Sequence, residues 1–129
     1  MKASLLITAG FFAFAGIMHF VIAKPYVSIV PTWLPAWLPS PLMLVYISGV
    51  FEILGAVGLL VPATRVLSAV GLILLLVAVF PANVEMLRLA QVRGPNPAFV
   101  AACWIRLPLQ PLLIWWVWRL SQSANDLSR

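Results

Sequence analysis

Charge is what this sequence has least of. Three acidic and eight basic residues make up 9% of its 129 residues, against 64% that are hydrophobic. Ordinary soluble domains carry about 25% charged residues. A chain this short has no interior large enough to hide so much apolar surface from water, which excludes a soluble globular fold. A mean hydropathy of +1.08 points instead to an integral membrane protein, and the length admits a single domain, 1–129, of about four spans.

Cysteine is nearly absent. Cys103 stands alone, so the chain makes no internal disulfide and no Cys-x-x-Cys dithiol exchange, and it reads as a small packing residue. His19 is the single histidine. One histidine and one cysteine about two spans apart do not make the usual three or four metal ligands, and a haem on His19 would lack a second histidine. The net charge of +5 comes from basic residues spaced singly along the chain. Without a cluster to track phosphates there is no nucleic-acid partner, and the bases read as topology signals and headgroup anchors against a lipid bilayer. There is no internal repeat and no low-complexity segment.

What is abundant is apolar sequence in long runs. The pattern predicts spans at about 4–23, 41–61, 66–91 with a kink at Pro81, and 97–120, with a polar, disordered tail at 121–129. Ala13-Phe14-Ala15 resembles a signal-peptide cleavage site, but the apolar run continues to Ala23, so it is read as a retained first span. Lys24-Pro25 is expected to stop the first helix. Between Tyr26 and Pro41, four prolines alternate with Trp33 and Trp37, which suits an interfacial loop anchored in the headgroup layer or a lid over a site. Ser40 and Pro41 fit the N-cap and first position of the second span. Pro62-Ala63-Thr64-Arg65 and Gly94-Pro95-Asn96-Pro97 read as turns, and Glu85 and Arg88 stand at i, i+3 where they can pair. Trp115, Trp116, Trp118 and Arg119 form an aromatic and basic exit.

The chain is organised around Glu52, the one acidic or basic residue between Leu42 and Val61. A carboxylate at that depth persists only if neutral, paired or facing a wet cavity. Ser48, Glu52 and Gly55 share one helical face, which should look into a bundle. At a rise of about 1.5 Å per residue, Glu52 lies about 16 Å into the second span and Arg106 about 13 Å into the fourth, measured from the non-terminal face. They are expected to pair. His19, Asn83 and Gln110 fall in the same half of the bundle, so each helix contributes polar groups to one region. Two readings follow. The network sets helix register, or it forms the base of a pocket that opens to the non-terminal leaflet and takes an amphipathic guest such as a quinone.

Five short motifs occur in order: Gly16-Ile17-Met18-His19-Phe20; Tyr26 and Pro31 in the following loop; Ser48-Gly49-Val50-Phe51-Glu52; Pro62-Ala63-Thr64-Arg65; and Phe80-Pro81-Ala82-Asn83. Arg106-Leu107-Pro108-Leu109-Gln110 follows in the fourth span. Together they resemble the DoxX-like family of small membrane proteins, over nearly the whole chain. The resemblance implies an all-α, integral membrane four-helix transmembrane bundle, with a Pro/Trp-rich loop between the first two spans, in a bacterial cytoplasmic membrane. Family functions are diverse. The namesake is a subunit of a thiosulfate–quinone oxidoreductase; relatives include a partner of oxidative-stress enzymes, maturation factors for methylamine dehydrogenase, and receptor chaperones. By the resemblance, His19, Glu52, Asn83 and Arg106 occupy the family's polar positions.

Three functional readings therefore stand. The first is an accessory subunit that binds a quinone-like or lipid-like molecule, with His19, Glu52, Asn83, Arg106 and Gln110 at the site. His19 and Glu52 are the proton-handling pair, and a redox partner protein or a second copy is the companion. The second is an assembly factor or scaffold whose polar network is structural. The third, a transporter, would need an oligomer, since four spans without a repeat make a thin pathway.

Overall fold

The computed structural model describes residues 2–94 and 96–126. Four long helices carry the fold: α1 (Lys2–Val21), α3 (Pro41–Leu60), α4 (Arg65–Val92) and α5 (Pro97–Asp126), with a short α2 (Ala23–Ser28) between the first two. There is no strand among the described residues. Each long helix is long and apolar enough to cross a membrane. The protein is an all-helical, multi-pass membrane bundle.

The helix boundaries follow local chemistry. Pro25 has no N–H to offer the carbonyl of Val21 four residues back, so the ladder of α1 ends there. The chain does not stay irregular, as Lys24-Pro25 led us to expect. It bends at Ile22 and resumes as α2, with Pro25 in the first turn, where a missing donor is harmless. Ser40 caps α3 as expected, its Oγ accepting from the N–H of Met43 at 3.3 Å, with Pro41 at the first helical position. The turn into α5 uses Gly94 at φ +110° and the side chain of Asn96, whose Oδ1 accepts from the N–H of Phe99. Pro81, Pro108 and Pro111 all lie inside continuous helices.

The order of packing is α1 on α3, α3 on α4, and α4 on α5, with a narrower contact closing α5 back onto α1. The main core is Phe12 and Ala9 of α1, Ala56 and Leu59 of α3, Ala69 and Leu72 of α4, and Val117 of α5. It sits towards the end that carries both termini. There Leu5 packs with Leu120 and Ala124, and the indole N–H of Trp116 donates to Thr8 Oγ1 at 3.0 Å.

Two expectations at this end are corrected. The segment after Leu120 is not a disordered tail: α5 runs on to Asp126, because Leu120, Ser121 and Ala124 continue its buried face. Residues 127–129 lie outside the described part. Arg65 is not a headgroup anchor. It is buried, with Nε donating to the carbonyl of Leu59 at 2.8 Å and the two Nη groups reaching the carbonyls of Leu60 and Ala124 at 3.5 Å. A cation at a helix C-terminus meets both the unpaired carbonyls and the negative end of the dipole.

Candidate functional site

His19 and Glu52 meet because two glycines let two backbones touch. A Cβ built on Gly16 would lie 2.8 Å from the carbonyl oxygen of Gly49, and one on Gly49 would lie 2.9 Å from that of Gly16. No side chain fits between α1 and α3 at that crossing. His19 stands three residues after Gly16, and Glu52 three after Gly49. The helices run antiparallel, and side chains in a helix lean towards its N-terminus. His19 therefore leans down α1 and Glu52 leans up α3, and the two converge.

Nδ1 of His19 lies 2.9 Å from Oε2 of Glu52 and 2.8 Å from the carbonyl oxygen of Ala15. A carbonyl only accepts, so the contact with Ala15 needs a proton on Nδ1, and the same nitrogen makes an ion pair with Glu52 when the ring is charged. Glu52 Oε2 is buried and receives no hydrogen bond from any described residue. Most buried polar atoms are satisfied, so an exception at a carboxylate is a pointer to function. Side-chain exposure is 14% for His19 and 13% for Glu52, but Oε2 itself has no accessible surface.

Tyr26 of α2 completes the group. Its ring stacks on His19, with centroids 4.2 Å apart and planes at 26°. Burial, and then the charge of Glu52, push the Tyr26 phenol above its ordinary pKa, while the charge of Arg106 pulls the other way. A second stack, Phe20 on Tyr46 at 5.1 Å, ties the same end of α1 to α3.

The expected pair between Glu52 and Arg106 does not form. Arg106 is exposed on α5 and has no ion-pair partner among the described residues. The reason is neighbour order. Glu52 faces α1 through the glycine crossing, whereas α5 packs chiefly on α4. The charge of Arg106 is still felt at Tyr26, so it stands near the group without closing a pair.

Asn83 and Gln110 form a separate clasp. Asn83 Nδ2 donates to Gln110 Oε1, and Gln110 Nε2 donates to the carbonyl of Leu76. That carbonyl lies in the turn before Pro81, where the proline ring crowds the backbone and a side-chain donor is most useful. The clasp joins α4 to α5 and is closed on itself. Glu85 and Arg88 pair as expected, at 2.9 and 2.5 Å. Two concavities lie away from these polar residues. An open groove of about 500 Å³ lies between the ends of α4 and α5, lined by residues such as Ala90, Val100 and Trp104. A smaller one lies under the Trp33–Trp37 loop. Neither is lined by His19 or Glu52. Among the described residues no group of three His, Cys, Asp or Glu is placed to hold a metal.

A family model matches residues 8–121 of this chain. The chain belongs to that family, Domain of unknown function (DUF8561). The matched region includes the glycine crossing, the His19–Glu52–Tyr26 group, the Asn83–Gln110 clasp and Arg106. No curated protein and no solved structure matches the chain.

Three residues of this candidate site carried little signal in sequence. Tyr26 looked like a loop residue after a helix stop, yet the short helix turns it back onto His19. Gly16 and Gly49 were visible as small residues. The equal spacing of each glycine from its polar residue was the available sign that they mark one crossing.

Proposed function

We propose that the protein is a small accessory subunit of a membrane redox system, of the kind the DoxX-like resemblance implies, and that it binds a quinone-like or lipid-like amphipathic molecule at His19 and Glu52. One observation carries this reading: a buried carboxylate oxygen beside an imidazole, unmet by any described donor. A structural pair would close on itself, because an unmet buried acceptor costs about 1–3 kcal/mol. The neighbourhood suits an aromatic guest. Tyr26 covers one side of His19, and the surrounding helices expose Phe20 and Phe51 to the bilayer. Arg106 serves as a cationic contact for the polar part of the guest at the interface.

The second reading, a scaffold or assembly factor without small-molecule chemistry, draws on the Asn83–Gln110 clasp, which has the closed form of a register-setting network. We assign the protein to the bacterial cytoplasmic membrane with both ends cytoplasmic, on the bases at Lys2, Arg65, Arg119 and Arg129 against Lys24, Arg88 and Arg93. A C-terminal reporter active only outside the cytoplasm would overturn that orientation.

Native mass spectrometry of the protein taken gently from its own membrane tests the function. The expected result is a stoichiometric ring compound that is lost in Glu52→Gln and in His19→Ala, while both variants keep the parent's helical spectrum. Bulk phospholipid alone, with a second protein at fixed ratio, would sink the ligand reading in favour of the scaffold.

A further inference from the structure

We propose that Arg106 gives the site a preference for an acidic guest: a tail-bearing aromatic ring with an ionised carboxylate, held on the guanidinium, over a neutral quinone of similar size. This inference rests on the reading of a ring-bearing amphipathic guest and adds the chemical class of its polar end.

One stripe of α5 shows where that end would lie. Phe99, Arg106, Leu113, Val117, Leu120 and Ala124 follow at helical spacing and share one face. Towards the terminal end this stripe is covered. Leu113 packs against the main core, Val117 is fully buried, and Leu120 and Ala124 pack on Leu5 of α1. Towards the other end it is bare: Phe99 is half exposed and Arg106 is exposed, although both continue the face that packs inward below them. Leu5 with Leu120 and Thr8 with Trp116 close α5 onto α1 at the terminal end only. The charge of Arg106 is nonetheless felt at Tyr26, so the uncovered stretch lies near the ring that stacks on His19.

The cation on that stretch has no counter-ion in the chain. Of the three acidic residues, Glu85 pairs with Arg88, Glu52 lies against His19, and Asp126 is about 30 Å further along α5. An arginine inside a span is costly to leave uncompensated. What Arg106 lacks is therefore an anion. Its planar fork matches the two oxygens of a carboxylate, whereas a quinone carbonyl offers one oxygen and no charge. Phe99 on the same stripe and the Tyr26–His19 stack nearby give a ring aromatic neighbours. Glu52 is the charge that opposes an anion here. It is buried beside His19, while Arg106 is exposed, so an arriving carboxylate meets the cation first.

The test uses the full chain in phosphatidylcholine nanodiscs, stripped of bound small molecules, with empty nanodiscs measured alongside to remove partitioning into lipid. The ligands are 4-decylbenzoate, its methyl ester, which keeps ring and tail without the charge, and decyl benzoquinone. The pH is held at about 8, well above the carboxyl range. The parent is expected to bind the benzoate about tenfold more tightly than the ester or the quinone. Arg106→Gln should remove that preference and leave the ester's affinity unchanged, and Arg106→Lys should restore part of it. Arg119→Gln, at the opposite end of α5, should leave the preference intact.

Equal binding of benzoate, ester and quinone to the parent, or a preference that survives in Arg106→Gln, overturns the acid inference and leaves the ring-bearing guest standing. Displacement of the benzoate by phosphatidylglycerol overturns it in favour of a lipid phosphate on the same arginine. No measurable binding of any of the three overturns both readings. Arg106 has no ion-pair partner among the described residues, so its replacement strands no charge. Should the variant fail to fold, the ranking of the three compounds on the parent decides alone.

Discussion

The α1–α3 crossing and the α4–α5 crossing each bring two polar side chains together inside apolar helices, and they finish the job differently. Between α4 and α5, Asn83, Gln110 and the Leu76 carbonyl form a chain of donors and acceptors that ends within the protein. Between α1 and α3, His19 gives its proton to a backbone carbonyl and leaves Glu52 unmet. The first arrangement needs nothing more and has the character of a register lock. The second is incomplete in the way a binding site is. Polarity in a membrane span thus does not by itself separate a structural contact from a candidate site; an unsatisfied polar atom is the distinguishing sign.

The largest expected effect comes from the backbone of the α1–α3 crossing, set against an exposed glycine of α4 that touches no neighbour. Gly49→Leu would drive a side chain into the Gly16 carbonyl and the ring of Phe20, so the expected loss of stability is about 3 kcal/mol or more. Gly71→Leu, with nothing within 4 Å of the added Cβ, should leave stability nearly unchanged. Reversible unfolding in mixed micelles, followed by helical circular dichroism, compares them. Equal losses at the two positions would mean that the α1–α3 crossing is not the close contact described.

A middle-sized effect contrasts the polar groups. Gln110→Leu strands Asn83 Nδ2 and removes the second donor to the Leu76 carbonyl, for an expected loss of about 2 kcal/mol. Glu52→Gln strands no protein donor and should cost less than about 1 kcal/mol while abolishing guest binding. A larger stability loss for Glu52→Gln than for Gln110→Leu would reverse the roles given to the two crossings.

The smallest effect is a coupling that should be absent. Glu52→Ala and Arg106→Ala are expected to add to within about 0.5 kcal/mol in a double-mutant cycle, because the two groups share no contact. A double variant more stable than that sum by well over this margin would restore the direct pair that their equal depth first suggested.

How much was legible beforehand follows from which physical signal each feature leaves. Ser40-Pro41, Gly94 and Asn96 announce helix starts and turns through their own local chemistry, and the structure uses them in that way. His19, Glu52, Asn83, Arg106 and Gln110 stand out because polar groups are rare in apolar runs. Their partners did not. Depth along a span can be counted from 1.5 Å per residue, but pairing also depends on the rotation of each helix and on which helix is its neighbour. Arg65 shows the same limit, since its carbonyl partners in α3 and α5 come together only in the folded bundle.

By itself, the sequence determined that this is a membrane protein of four apolar helices, where those helices begin and turn, and which few side chains could carry chemistry. Only the tertiary structure decided that Glu52 meets His19 and not Arg106, that Asn83 meets Gln110, and that Tyr26 folds back over the imidazole. The physical reason lies in the solvent. Lipid is as apolar as the bundle interior, so the helices carry little of the polar-to-apolar asymmetry that tells, in a soluble protein, which face turns inward. The choice of face falls instead to close backbone contact, here Gly16 against Gly49, and that contact exists only once α1 and α3 are side by side.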